Sequence, residues 1–203
     1  MITTNWDPLA ERVLAEDGRW NPIDGYGFER RLRLHHPTHG ALPLPAKCAA
    51  PSDIKVLKLH GCFGWRETGS VFFLEGPEFL DVLGIRCGQR MEPVHDANEP
   101  TTYQPSDAIL AYPSYLKKLT HPALASVWQK ASAAILSAKT VKVVGYSLPE
   151  SDSAIRALLL PLRERLDNGA ASAEIIDKSQ GTLNRWKDLL GPNAKLRLAG
   201  IAA

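Results

Sequence analysis

The stretch KTVKVVGYSLPESD, Lys139 to Asp152, decides how this chain is read. Its run Thr140-Val141-Lys142-Val143-Val144 has the β-branched composition and the length of a short buried strand. The run stops at Gly145, where a backbone can turn sharply or approach a ligand closely. Ser147 follows, and Pro149 is expected in the first turn of a helix, with Glu150 and Asp152 near its positive end. Strand, tight Gly/Ser turn and helix form the geometry in which an open α/β sheet takes a nucleotide at the C-terminal ends of its strands. Many α/β domains contain one such turn without a ligand, so the reading depends on its neighbours.

Outward from this stretch the pattern is regular. Short apolar strands are expected at Ala108 to Ala111, Ala173 to Ile176 and Lys195 to Leu198. Pro122 to Ala138 places Leu124, Val127, Trp128, Ala131, Ile135 and Ala138 at helical spacing. Ser151 to Leu166 is a second helix, which Pro161 should kink or end early. Gly181 to Leu190 is a third, closed by Gly191-Pro192. Strand and helix thus alternate from residue 108 onward, which predicts an α/β fold with a doubly wound, Rossmann-like parallel sheet.

Toward the N-terminus the signal is less regular. Met1-Ile2-Thr3 reads as the tail of a strand, followed by the polar loop Thr4-Asn5-Trp6-Asp7. Asp7 and Pro8 predict a short helix to Glu16, with Leu9, Val13 and Leu14 on its apolar side. Residues 17–53 are rich in Gly, Pro and His, with one strand near Phe28 to Leu34. Ile54 to Leu59 alternates as a strand ending at His60-Gly61; Ser70 to Leu74 is a strand and Pro77 to Leu83 a short helix. The expectation is one domain over residues 1–203, in which 17–107 contain a long irregular insertion or small module and 108–198 form the regular α/β half.

Composition excludes several classes. The 203 residues carry 44% hydrophobic and 23% charged side chains, ordinary for a globular chain. A net charge of +2 without a Lys/Arg run gives no electrostatic case for nucleic acid. No apolar stretch has the length of a membrane span, and the first residues lack a signal-peptide pattern. Three cysteines, Cys48, Cys62 and Cys87, form neither a disulfide framework nor a CxxC zinc site, and a reducing cytoplasm is the default.

Four polar sites follow strands: Asn5 with Asp7, His60, Gly145 with Ser147, and Asp177. In a parallel sheet such strand ends share one edge, so residues distant in sequence converge there. His60 could act as a general base near neutral pH, or could simply bond a backbone carbonyl at a strand end. Asn5 could hold a water or an amide, or form a turn. Asp7 could accept from a ligand amide, or cap its helix. Asp177 could take ribose hydroxyls, or cap the following segment, and Ser147 could meet a phosphate or ribose oxygen, or cap a helix. His35, His36 and His39 lack a matching Cys or carboxylate for a metal, and Cys62 beside His60 reads as a small core hydrophobe ahead of a nucleophile. Trp65, Phe72 and Phe73 read as core ahead of a substrate groove.

Together these residues resemble the sirtuin-like family, most closely the bacterial sirtuin-like domains of NAD+-consuming defence proteins. Thr4-Asn5-Trp6-Asp7 is similar to the family's Asn-x-Asp motif. Leu59-His60-Gly61, with Trp65 after it, resembles the catalytic His-Gly motif, and Gly145 to Asp152 resembles the C-terminal signature of the bacterial branch. The likeness runs from residue 1 to about residue 190.

The resemblance implies NAD+ as substrate and catalytic roles for His60 and Asn5: His60 as general base on ribose hydroxyls, Asn5 positioning the nucleophile. It implies that Asp7 binds the nicotinamide carboxamide, that Gly145 and Ser147 meet the phosphate-ribose portion, and that Asp177 meets the adenosine ribose. Two departures are visible. The Gly-rich strand-loop-helix that opens the family fold is missing, so the chain reads as N-terminally truncated and weak or inactive alone; Gly25 and Gly27 follow a helix and cannot replace it. The zinc-ribbon cysteines of the deacetylase branch are also missing, so no zinc is expected. NAD+ hydrolysis to nicotinamide and ADP-ribose is the expected activity, with an effector or sensor protein as a possible partner. NAD-dependent protein deacylation and a non-catalytic nucleotide-sensing or docking module are the alternatives.

Overall fold

A computed structural model of the protein describes residues 1–28, 31–36, 40–42, 51–68, 71–75, 108–111 and 121–199. They fall into two compact units, one drawn from Met1–Ala111 with Leu119–Trp128, the other from Gln129–Ala203. No helix among the described residues is long and apolar enough to cross a membrane.

In the first unit, β1 (Ile2–Thr3) leads into α1 (Leu9–Glu16) and the single turn α2 (Pro22–Gly25). β2 (Arg31–His36), β3 (Gly40–Leu42), β5 (Trp65–Thr68) and β6 (Val71–Glu75) form one sheet in the order β3-β2-β6-β5, its central pair parallel. β1 pairs in parallel with β4 (Leu57–Lys58), Ile2 opposite Leu57 and Thr3 opposite Lys58. An aromatic cluster holds this unit's core. Tyr26 packs edge-on against Trp20 at 5.0 Å and Trp65 at 4.8 Å, and stacks on Phe28 at 5.7 Å. All four rings are buried, and each contributes roughly 1.5–3 kcal/mol of transfer free energy on the usual area scale.

Three expectations change here. The strand predicted from Ile54 to Leu59 shortens to two residues, and Val56 to Leu59 are all buried instead of alternating. Helix α1 buries neither Leu9 nor Val13, both more than half exposed; the buried residue is Glu11, drawn inward by Lys58. Residues 108–111 form an isolated antiparallel bridge, Leu110 to Gly61, in place of a parallel strand. The helix predicted at Pro77 to Leu83, Cys48, Cys87 and His39 lie outside the described residues.

α3 (Pro122–Ser137) begins in the first unit and ends in the second, and its predicted stripe Leu124, Val127, Trp128, Ala131 and Ile135 is buried. The second unit is built on β7 (Thr140–Val144), β8 (Ser172–Asp177) and β9 (Lys195–Leu198), parallel in the order β7-β8-β9. α4 (Ser153–Asp167) and α5 (Gln180–Leu190) are the crossovers. This is the βαβ arrangement of a Rossmann-like α/β fold.

β7 is less buried than its composition predicts. Thr140, Lys142 and Val144 share one face of the strand and are exposed, Val144 by 67%. α4 runs unbroken through Pro161. The proline stands on the exposed side, where the carbonyl it leaves unpaired can meet water, while Ile155, Leu159, Leu162 and Leu166 fill the buried face. Pro149 does not enter that helix; it closes a turn in which the Asp152 N–H donates to its carbonyl at 3.1 Å.

Candidate functional site

The parallel pairing of β1 with β4 sends both chains out at the same edge. Thr4-Asn5-Trp6-Asp7 follows β1, and Leu59-His60-Gly61 follows β4. The two exits are tied together: Leu59 N–H donates to the Thr3 carbonyl at 2.9 Å, and Phe63 N–H to the Trp6 carbonyl at 3.1 Å. The Trp6 ring lies edge-on to Phe63 at 5.3 Å and 6.4 Å from the His60 ring. Sequence positions 5–7 and 60 therefore meet in the first unit, as the shared-edge argument requires.

Each member is held locally. Asn5 N–H donates to the Thr3 hydroxyl at 3.1 Å, and the Asn5 side chain is exposed. Asp7 is exposed too, and one carboxylate oxygen accepts from Leu9 N–H at 2.9 Å at the start of α1. The helix starts one residue later than foreseen, with Pro8 at its N-cap and no side-chain cap, so Asp7 closes a turn just ahead of α1 in place of the cap expected of it, using one of its two oxygens. His60 is 4% exposed. Behind it, the buried Trp128 indole donates to the Leu59 carbonyl at 2.8 Å, and Ala111 N–H donates to the His60 carbonyl at 2.9 Å.

Gly61 has φ +77°, and a Cβ there would lie 2.0 Å from the Ile109 carbonyl oxygen. Only glycine satisfies both the turn and that approach. Gly61 separates His60 from Cys62, whose thiol is fully buried and pushed up to about 12 by burial. A Cys–His nucleophile pair is thereby removed, and Cys62 is a core residue. Trp65, fully buried in the aromatic cluster, is core as well.

The second unit brings Gly145, Ser147 and Asp177 to the C-terminal ends of β7 and β8. Val144 is opposite Ile176, and Gly145 N–H donates to the Ile176 carbonyl at 3.0 Å. Gly145 has φ +68°, and a Cβ added there would meet nothing within 4 Å, so conformation alone asks for glycine here. Ser147 is exposed. Asp177 continues the buried face of Ala173 and Ile175, and one of its oxygens accepts from Ser179 N–H at 2.8 Å. Ser179 in turn caps α5 by accepting from Thr182 N–H.

The loop after Gly145 is clamped by residues that sequence reasoning passed over. Three successive carbonyls accept side-chain donors: Tyr146 from the Trp186 indole at 2.9 Å, Ser147 from Arg185 at 2.9 Å, Leu148 from Arg156 at 3.3 Å. Leu148 is fully buried with φ +50°, an uncommon conformation for a branched side chain that this clamp sustains. The Tyr146 hydroxyl donates to buried Asp152 at 3.0 Å, and burial, then the Asp152 charge and hydrogen bond, raise the phenol's pKa. Trp186 and Arg185 lie about forty residues downstream, and only their helical periodicity could have pointed to them.

Among the described residues no three His, Cys, Asp or Glu side chains gather as a metal site. A family model described as SIR2-like domain matches residues 1–180. No curated protein and no solved structure matches the chain.

Proposed function

This chain belongs to the SIR2-like domain family, a sirtuin-like NAD+-binding domain, and on that premise we propose that it cleaves NAD+ to nicotinamide and ADP-ribose. The observation that carries the reading is the convergence of Asn5, Asp7 and His60 where β1 and β4 leave their sheet together. A module that only docked a partner would have no physical need for that trio.

The side chains present suit such a substrate. Asp7 keeps a second, exposed carboxylate oxygen for the carboxamide N–H group. In the second unit taken by itself, Ser147 is exposed beside the Gly145 turn and Asp177 ends β8 at the same strand edge, a placement compatible with a ribose or phosphate contact. NAD+ supplies a glycosidic bond whose rupture builds positive charge at C1′. The task of the protein is to stabilise that charge and to admit one water while excluding the rest. In this reading Asn5 orients the water, Asp7 holds the carboxamide, and His60 accepts a proton from the ribose hydroxyl or the water. The burial of His60 supports that role, because a base shielded from bulk solvent keeps its orientation.

The test is nicotinamide release from NAD+ by the wild-type chain beside His60→Ala and Asn5→Ala. Weak release by the wild type that is lost in His60→Ala is the expected result, in line with loss of a positioned general base. Equal release by all three would remove His60 from the chemistry. Release only when an acyl-lysine peptide is added would assign the chain to NAD-dependent deacylation instead. A part in bacterial defence, switched on by an effector or sensor protein, extends the same reading. It predicts a fall in cellular NAD+ on phage challenge with the wild type and none with His60→Ala.

A further inference from the structure

We propose that Lys58 is a positioning residue that fixes the Asn5–Asp7 loop against His60 through the Asp7 carbonyl. Lys58 stands in β4, two residues before His60, and is wholly buried. Its ammonium meets the equally buried Glu11 carboxylate at 3.0 Å and donates to the Asp7 carbonyl. The same Glu11 oxygen accepts from the Tyr26 hydroxyl at 3.2 Å. Tyr26 is locked edge-on between Trp20 and Trp65. A continuous chain of contacts thus runs from the aromatic core through Tyr26, Glu11 and Lys58 to the backbone of the loop that carries Asn5 and Asp7.

Stability does not explain this arrangement. A buried ion pair is costly to desolvate, and apolar side chains of the same volume serve packing as well or better. Here Glu11 also keeps its second oxygen, Oε2, buried without a hydrogen-bond partner. What an apolar pair cannot do is donate to the Asp7 carbonyl. A lysine can, because its ammonium carries several donors on a long stem and reaches Glu11 and the loop at once. With Phe63 N–H on the Trp6 carbonyl, two successive carbonyls of the loop are held, one from the strand of His60 and one from the turn after it. The loop geometry is therefore slaved to the segment that carries His60, as a site built from two chain segments requires.

The activity arm of the test rests on the NAD+-cleaving reading; the structural arm does not. The variant is Lys58→Met with Glu11→Met and Tyr26→Phe, which removes every buried polar side chain of the network and leaves no unpaired charge. Three readouts are taken: the urea midpoint, the indole N–H resonance of Trp6 (assigned with Trp6→Phe, with Trp186 as reference), and kcat and KM for nicotinamide release. The expected result is a midpoint at or above the wild type, a displaced or broadened Trp6 resonance beside an unchanged Trp186, and kcat/KM lowered by about tenfold or more. An unmoved Trp6 resonance with kcat/KM within about twofold of wild type would overturn the proposal and leave Lys58 a packing residue. If the wild type releases no nicotinamide, the NAD+ reading fails and the Trp6 resonance alone decides. Should the triple variant not fold, Lys58→Met with Glu11→Gln, which keeps an acceptor for Tyr26, is judged by the same criteria.

Discussion

Substituting Gly61 by alanine isolates the contact that holds His60 in place, provided it is compared with Gly18→Ala in the same compact unit. Both glycines are left-handed, φ +77° and φ +70°, so both variants carry the conformational penalty of about 1–2 kcal/mol. At Gly18 nothing lies within 4 Å of the added Cβ, and the cost ends there. At Gly61 the Cβ would fall 2.0 Å from the Ile109 carbonyl oxygen, a backbone atom without a free rotamer. Relief requires the 109–111 segment to move back. That motion weakens three bonds: Cys62 N–H to the Ile109 carbonyl at 3.3 Å, Ile109 N–H to the Trp65 carbonyl at 3.0 Å and Ala111 N–H to the His60 carbonyl at 2.9 Å. At about 0.5–1.5 kcal/mol each, the excess over Gly18→Ala is about 1.5–4.5 kcal/mol. Urea unfolding followed by tryptophan fluorescence measures it, and an unchanged m-value shows that the comparison is valid. Activity separates the two further, since Gly61→Ala shifts His60 and Gly18→Ala does not. Equal midpoints for the two variants would refute the claim that Ile109 clamps the His60 turn.

Other consequences can be measured directly. The Cys62 thiol, buried and pushed up to about 12, should resist alkylation in native protein near neutral pH and react only on unfolding; mass spectrometry of the Cys62 peptide before and after denaturation checks this. Pro161→Ala should stabilise the protein by about 1–2 kcal/mol, because an interior helix proline costs about 3 kcal/mol and part of that is offset by its stiffening of the unfolded chain; a thermal melt of the two proteins decides it. Tyr146→Phe should cost about 1–2 kcal/mol through the lost donor to buried Asp152, readable as a lowered urea midpoint. Burial raises the Asp24 carboxyl, but its bonds to Lys55 and Ser52 outweigh that and hold it below its ordinary 3.8. Its contribution is therefore present above that pH and lost as pH falls through the lower folded value. The gap between wild type and Asp24→Asn should close on acidification.

Legibility differed between the two halves for a physical reason. β8 and β9, α3 and α5 are local: period-two or period-3.6 patterning, a Ser cap and a Gly stop write them into short windows. The grouping of the candidate residues was legible in part, because parallel strands send the polar residues that follow them to one edge. Asn5, Asp7 and His60 come together in this way after β1 and β4, and Gly145, Ser147 and Asp177 after β7 and β8, but in two separate sheets where one common edge was expected. The misreadings have a common source. Leu9 and Val13 look like the buried side of α1, and Lys58 like the exposed side of its strand, until Glu11 and Lys58 are seen to satisfy each other inside. Pro161 looks like a helix end until its solvent-facing position is known.

By itself the sequence determined the alternation of strands and helices, the family motifs and the identity of the residues at the strand ends, because these depend on near neighbours. Only the tertiary structure decided which charges are buried, which face of β7 meets solvent, and which distant donors hold each loop. Those outcomes turn on partners far apart in the chain, 51 residues for Lys58 and Asp7 and 69 for Trp128 and Leu59. No local pattern encodes such a pairing, since the desolvation of a polar group is offset only when the fold delivers its partner.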